Sequence, residues 1–178
     1  MRSIIEYIKS DYYRFFGEKN PSMFKVLKKA FFGRETGFRY QFWLRMASDR
    51  RRLFSRYMHR RLSIKYGVYI PAYTKIGYGL CIWHCVGIVI NGGTIIGNNV
   101  NIGQFLTIGT NHKTPAKIGD NVYIGPNVCI VEDVIIENDV TIGAGAVITR
   151  NIPSNVTVAG VPAKIIGESH PEYINNRY

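Results

Sequence analysis

Residues 81–87 read Cys-Ile-Trp-His-Cys-Val-Gly. A histidine set between two cysteines suits two kinds of chemistry, metal binding and proton transfer. A structural zinc site takes four ligands, commonly a Cys-x-x-Cys pair with a second pair further along the chain. The chain holds three cysteines and no such second pair, so no metal is expected at Cys81, His84 and Cys85. Proton transfer needs only the imidazole. Its ordinary pKa of roughly 6.5 suits a general base, which contributes about 10²–10⁴-fold. The competing reading of His84 is a histidine packed at a contact between copies of the chain. A second histidine, His112, lies in the stretch "TNHKTP". It either reaches an active site from an adjacent chain or simply stands exposed on a loop. Cys129 is expected to pack without a chemical role.

A repeat sets the backbone that carries His84. From residue 70 an isoleucine recurs every six positions, at 70, 76, 82 and 88, again at 96, 102 and 108, and again from 118 to 148. A second apolar residue follows most of them four places later, as at Leu80, Val100 and Leu106. This period predicts a parallel β-helix, in which three hexads make one triangular coil and each isoleucine stacks inward on the next coil. Glycine, frequent after these isoleucines, suits tight corners with positive φ. The period slips twice. Two extra residues lie between Ile88 and Ile96, around "NGGT", and four lie between Ile108 and Ile118, within "GTNHKTPAK". The core has no room for them, so both are expected to bulge outward as loops, where function tends to sit. His84, two places after Ile82, is expected at the surface.

Residues 1–66 have another texture. "MRSIIEYIKSDYYRFF" places Ile4, Ile5, Ile8, Tyr12, Phe15 and Phe16 near one helical face. Pro21 and Ser22 open a second short helix that ends near Gly33, and one longer helix is expected from about Phe38 to Gly67. This segment carries 17 Lys/Arg against 5 Asp/Glu, a net of +12; residues 67–178 carry 6 against 7, a net of −1. The chain therefore divides into a basic helical segment, 1–66, a β-helix, 67–168, and a tail, 169–178. Two readings of the basic segment stand. It is a cap that packs on the β-helix and turns its arginines to water, or a surface for an anionic membrane face or an acidic polymer. No recognisable nucleic-acid-binding motif accompanies the charge, so no nucleic acid is expected. No run of about 18 apolar residues predicts a spanning helix. No secretory signal is evident, and the odd cysteine count suits a reducing cytoplasm, at the inner membrane face on the second reading.

The repeat, the segment "WHCVGIVIN" that ends at Asn91, and the ending "VTVAGVPAKIIG" together resemble the hexapeptide-repeat acyltransferases, in their serine-acetyltransferase-like branch. The resemblance covers about residues 68–168. It implies a left-handed parallel β-helix, a homotrimer, and acetyl-CoA bound as co-substrate between neighbouring β-helices, without a metal. On this resemblance the catalytic histidine falls on His84. The acetyl-CoA positions fall on Gly109, Thr110, Gly125 and Ala144, with Lys164 near the nucleotide end.

The departures bear on the acceptor. In serine acetyltransferases an aspartate directly precedes the histidine, and Trp83 stands there instead. The place of a second aspartate falls on Tyr69 or Pro71, and the Arg-His pair of the extruded loop is not reproduced. An amino-acid acceptor needs partners for an ammonium and a carboxylate. The pattern is more similar to the O-acetyltransferases of capsular or exopolysaccharide synthesis. That implies a sugar or glycan-precursor acceptor, contacted by Trp83, Asn91 and His112. Serine O-acetylation with a diverged acceptor pocket and a non-catalytic scaffold are the two alternatives.

Overall fold

A computed structural model describes residues 3–49 and 51–178. The chain opens with four helices. Helix α1 (Ile4–Phe16) starts at a capping box, with Ser3 Oγ accepting from the Glu6 N–H and Glu6 Oε2 accepting from the Ser3 N–H; it ends on Gly17 at φ 70°. Helix α2 (Met23–Phe32) starts after Ser22 and ends at Gly33. The single long helix expected next is two, α3 (Thr36–Ala47) and α4 (Leu53–Tyr66). Polar side chains near the break compete for the local backbone. Ser48 Oγ donates to the Arg45 carbonyl at 2.7 Å, and the Asp49 carboxylate accepts from the Arg51 N–H at 3.1 Å. Gly67, at φ 63°, ends α4.

The β-helix has three sides of short parallel strands. One side stacks β1 (Lys75–Ile76), β4 (Ile95–Ile96), β7 (Lys117–Ile118) and β10 (Ile135–Ile136). The second stacks β2 (Cys81–Ile82), β5 (Asn101–Ile102), β8 (Tyr123–Ile124), β11 (Thr141–Ile142) and β13 (Val156–Ala159), and antiparallel β14 (Lys164–Glu168) closes it. The third stacks β3 (Val89–Ile90), β6 (Thr107–Ile108), β9 (Cys129–Ile130) and β12 (Val147–Ile148). Inward isoleucines pair coil on coil, as Ile82 with Ile102, Ile124 and Ile142 in turn. These columns form the core.

Register corrects the first slip of the repeat. Ile90, not Ile88, stacks on Ile108. Six residues then separate Ile90 from Ile96, and eight separate Ile82 from Ile90. The two extra residues therefore sit at 83–87, around His84, and "NGGT" is an ordinary corner. Ile88 is buried as well, two places before the stacking position, as Leu106 is. Both isoleucines fit an apolar core, so the spacing alone did not choose between them. The second slip does extrude the loop at 109–115. Cys129, expected to pack, is exposed, because Ile130 beside it faces inward and side chains alternate along a strand.

The helices close the first coil, whose outer edge would otherwise leave backbone groups unpaired. Gln41 Nε2 donates to the Leu80 carbonyl at 2.6 Å, and Gln41 Oε1 accepts from the Ile82 N–H at 2.7 Å. Asp11 accepts from the Leu80 N–H at 2.9 Å, and Ser10 Oγ from the Gly79 N–H at 2.9 Å. Arg45 donates to the Ile76 and Gly77 carbonyls at 2.8 and 2.6 Å and pairs with Asp11 at 2.9 Å. Gly37 permits this approach, since a Cβ there would stand 1.5 Å from the Ile82 oxygen. Arg14 and Arg45, expected among the water-facing arginines, are only 1% and 8% exposed because they cap backbone carbonyls. The tail returns along the solenoid, where Asn101 Nδ2 donates to the Tyr173 carbonyl at 2.9 Å. Among the described residues no helix is long and apolar enough to cross a membrane.

Candidate functional site at two corners of the solenoid

His84 lies on the widened corner after β2, with an exposed side chain. Its carbonyl accepts from the Val86 N–H at 3.0 Å, and among the described residues its ring takes no hydrogen bond. The flanking cysteines point the other way. Cys81 and Cys85 are buried, and burial pushes both thiols up to about 12, so they stay protonated and are poor ligands. Among the described residues no three His, Cys, Asp or Glu side chains gather as a metal site would need. Trp83 is 46% exposed, and its indole packs on Phe15 of α1 at 5.0 Å between ring centroids. It anchors the helical cap beside His84.

Below His84 the corner is built from small residues. The strand register aligns Ile82, Ile102, Ile124, Ile142 and Val158. The residues next in the chain are Trp83, Gly103, Gly125, Gly143 and Ala159, followed by His84, Gln104, Pro126, Ala144 and Gly160. Glycine is required here by the close stacking of coils: a Cβ on Gly125 would lie 2.8 Å from the Ile142 oxygen and 2.9 Å from the Ala144 nitrogen. Lys164 pairs with Ala159 at the foot of the column. Five strand steps of about 4.8 Å, from β2 to β14, make this edge about 24 Å long. His84, Gly125, Ala144 and Lys164 thus share one edge, running down from His84.

The other candidates share a different corner, after β3 and β6. Asn91 is half-buried there, its Oδ1 accepting from the Gly93 N–H at 2.9 Å. One coil on are Gly109, beside which a Cβ would meet no atom within 4 Å, and Thr110 and His112 on the extruded loop. Glu132, from the coil beneath, organises that loop. Its Oε2 accepts from the N–H groups of Asn111, His112 and Lys113 at 2.6, 2.9 and 3.1 Å and from Thr110 Oγ1 at 2.9 Å. Those donors, His112 first, hold its carboxyl down to about 2. Sequence reading missed Glu132; counting coils would have found it, because "VED" occupies the corner directly beneath the loop.

Phe105 was also missed. It adopts φ 60°, a left-handed conformation costly for a bulky residue, and a Cβ on Gly87 would lie 2.3 Å from its ring. The matching positions one and two coils on are Asn127 and Gly145, and that contrast is the sequence signal. The grooves that the helices form with the first coil, of about 690 and 1030 Å³, are lined by residues such as Arg45, Tyr57 and Tyr73 and not by His84.

Residues 115–150 match the family model described as bacterial transferase hexapeptide (six repeats). Over 94% of its length the chain superposes on 67% of a serine acetyltransferase from Brucella abortus strain S19 solved in complex with coenzyme A, with a TM-score of 0.70 and 27% identity. The fold is that of the hexapeptide-repeat transferases. A second structure with this hexapeptide-repeat fold, a Neisseria gonorrhoeae serine acetyltransferase in complex with serine, gives a TM-score of 0.72 at 29% identity, over 90% of this chain and 68% of that one. The serine acetyltransferase of Buchnera aphidicola subsp. Schizaphis graminum is 38% identical over 117 residues, 63% of this chain and 45% of that protein. The chain spans about half the length of the curated relatives it matches. None of these relatives is named for a sugar acceptor, so the glycan reading takes no support from them.

Proposed function

We propose that this chain is an acetyl-CoA-dependent O-acetyltransferase with serine as acceptor and His84 as general base. The observation that carries this reading is the edge beneath His84: an exposed imidazole above small residues that run for about 24 Å to a lysine. An extended thioester co-substrate suits such an edge, with its reacting end near His84 and its anionic end near Lys164. In the reaction His84 accepts the proton of the acceptor hydroxyl as the oxygen attacks the thioester carbonyl. The C–O bond forms, the C–S bond breaks, and the proton passes to the departing thiolate. Serine is taken from the names of the relatives.

The two candidate corners lie apart in one chain. A trimer would let the His84 edge of one copy face the 109–115 loop of the next, with a groove between them. One observation favours a second acceptor class. Trp83, beside His84, is half open and carries no charge to meet an ammonium group, whereas an indole face suits a sugar ring.

The test supplies acetyl-CoA with L-serine and, in parallel, with sugars and glycan precursors, following free thiol. The expected result is turnover with serine that His84→Ala lowers by about 10²-fold or more. Unchanged turnover in that variant would overturn the mechanism. Turnover with a sugar alone would transfer the reading to the second acceptor class, and failure to bind acetyl-CoA would return it to a scaffold.

A further inference from the structure

The helical cap turns an unusual face to solvent. Helix α2 buries Val26 and Ala30 against the molecule, yet its opposite side carries Phe24, Leu27, Phe31 and Phe32 at 77, 41, 44 and 81% exposure. Helix α4 buries Ser55 and Leu62, and its opposite side, which borders the groove with the first coil, carries Leu53, Tyr57 and Ile64 at 73, 58 and 75% exposure. The last three lie one turn and then two turns apart, so they form a stripe, with Arg60 and Arg61 exposed along its flanks. The two helices contribute to one surface. Trp43 of α3, 3% exposed, is held edge-on between Phe31 of α2 at 5.2 Å and Phe54 of α4 at 5.6 Å.

Single exposed apolar residues are ordinary, but a contiguous set marks an interaction surface. Charge selects the occupant. The segment that builds this face has a net charge of +12, and with Arg14, Arg45 and Asp11 buried its surface remains strongly cationic; two of its acids, Glu18 and Glu35, pair with Lys25 and Lys29. A second copy would set two cationic faces against each other. An aromatic and aliphatic stripe bracketed by arginines is the pattern of a helix lying in a lipid interface, with rings in the headgroup layer and cations on anionic lipid. We propose that the exposed faces of α2 and α4 together dock this protein on an anionic lipid bilayer.

Docking is measured by sedimentation with vesicles of phosphatidylglycerol and phosphatidylcholine, against vesicles of phosphatidylcholine alone. Binding is expected only to the anionic vesicles and should weaken as salt rises. Arg60→Ala with Arg61→Ala should weaken it roughly 30-fold, from about 1 kcal/mol for each cation near the surface. Phe24→Ser with Phe32→Ser should weaken it at least tenfold while leaving the thermal transition unchanged, because both rings are exposed. Binding indifferent to lipid charge would overturn the proposal. So would absence of vesicle binding together with self-association that the Phe24→Ser, Phe32→Ser variant abolishes, since the occupant would then be a second copy.

Discussion

Glu132 shows how a single carboxylate can fix a loop that carries several candidate contacts. Four donors meet one oxygen, and three of them are consecutive backbone N–H groups. Replacing Glu132 by alanine should leave the solenoid intact, because the side chain stands at an outward corner. It should speed amide exchange at Asn111, His112 and Lys113 by at least tenfold, and raise KM more than it lowers kcat if the loop positions substrate. Unchanged exchange at those amides would sink this role. The pH dependence has a definite sign. The folded carboxyl lies near 2, below its ordinary value of 4.5. Its contribution is therefore complete above about pH 4.5 and is lost as pH falls towards 2. Loop protection should be level from pH 8 to 5 and fall only in strong acid. Sequence reading put Thr110 and His112 on this loop, but a contact between adjacent coils depends on register, which spacing alone did not give. Arg14 and Arg45 were misjudged for a similar reason: sequence displays the charge and hides the carbonyls that will surround it.

At the scale of elements, the isoleucine period was readable because every sixth side chain meets the same core. Corners face outward and obey no such constraint, so the slip near His84 was misplaced by one corner. The break between α3 and α4 was hidden because "SDRRR" contains no glycine or proline. What joins those helices is a buried polar pair, with Tyr40 Oη of α3 3.0 Å from His59 Nε2 of α4 and 3.3 Å from Ser63 Oγ. Burial depresses the imidazole to about 4, against a partial opposing pull from the backbone of Ile70. The unfolded chain, titrating near 6.5, therefore binds a proton that the folded chain refuses. Stability contributed by neutral His59 is complete above about pH 6.5, declines as pH falls towards 4, and levels off below that. Urea midpoints measured between pH 7.5 and 4 should show this decline, and His59→Gln should flatten it, so that the gap to wild type narrows as pH falls. A variant whose curve stays parallel to that of wild type would refute the linkage.

At the scale of the whole molecule, the β-helix keeps its two candidate corners apart. His84, Gly125, Ala144 and Lys164 follow one edge, while Asn91, Gly109, Thr110 and His112 occupy another. A rigid solenoid cannot fold these edges together, so a site that uses both has to take them from different chains. In a closed ring of three identical subunits every interface is heterologous, so on the proposed reading the His84 edge of one chain would face the loop of the next. This arrangement makes a quantitative demand on mixtures. His84→Ala alone and a variant with residues 111–114 replaced by glycines should each lack activity. When the two are unfolded together, mixed in equal amounts and refolded, a site is competent only if an intact histidine meets an intact loop. Each condition holds at half of the positions, so about a quarter of the wild-type sites should work. Recovery near that fraction would establish that the corners cooperate across chains. A mixture as inactive as its components would mean that His84 and the loop serve the same chain, and the trimeric groove would have to be abandoned.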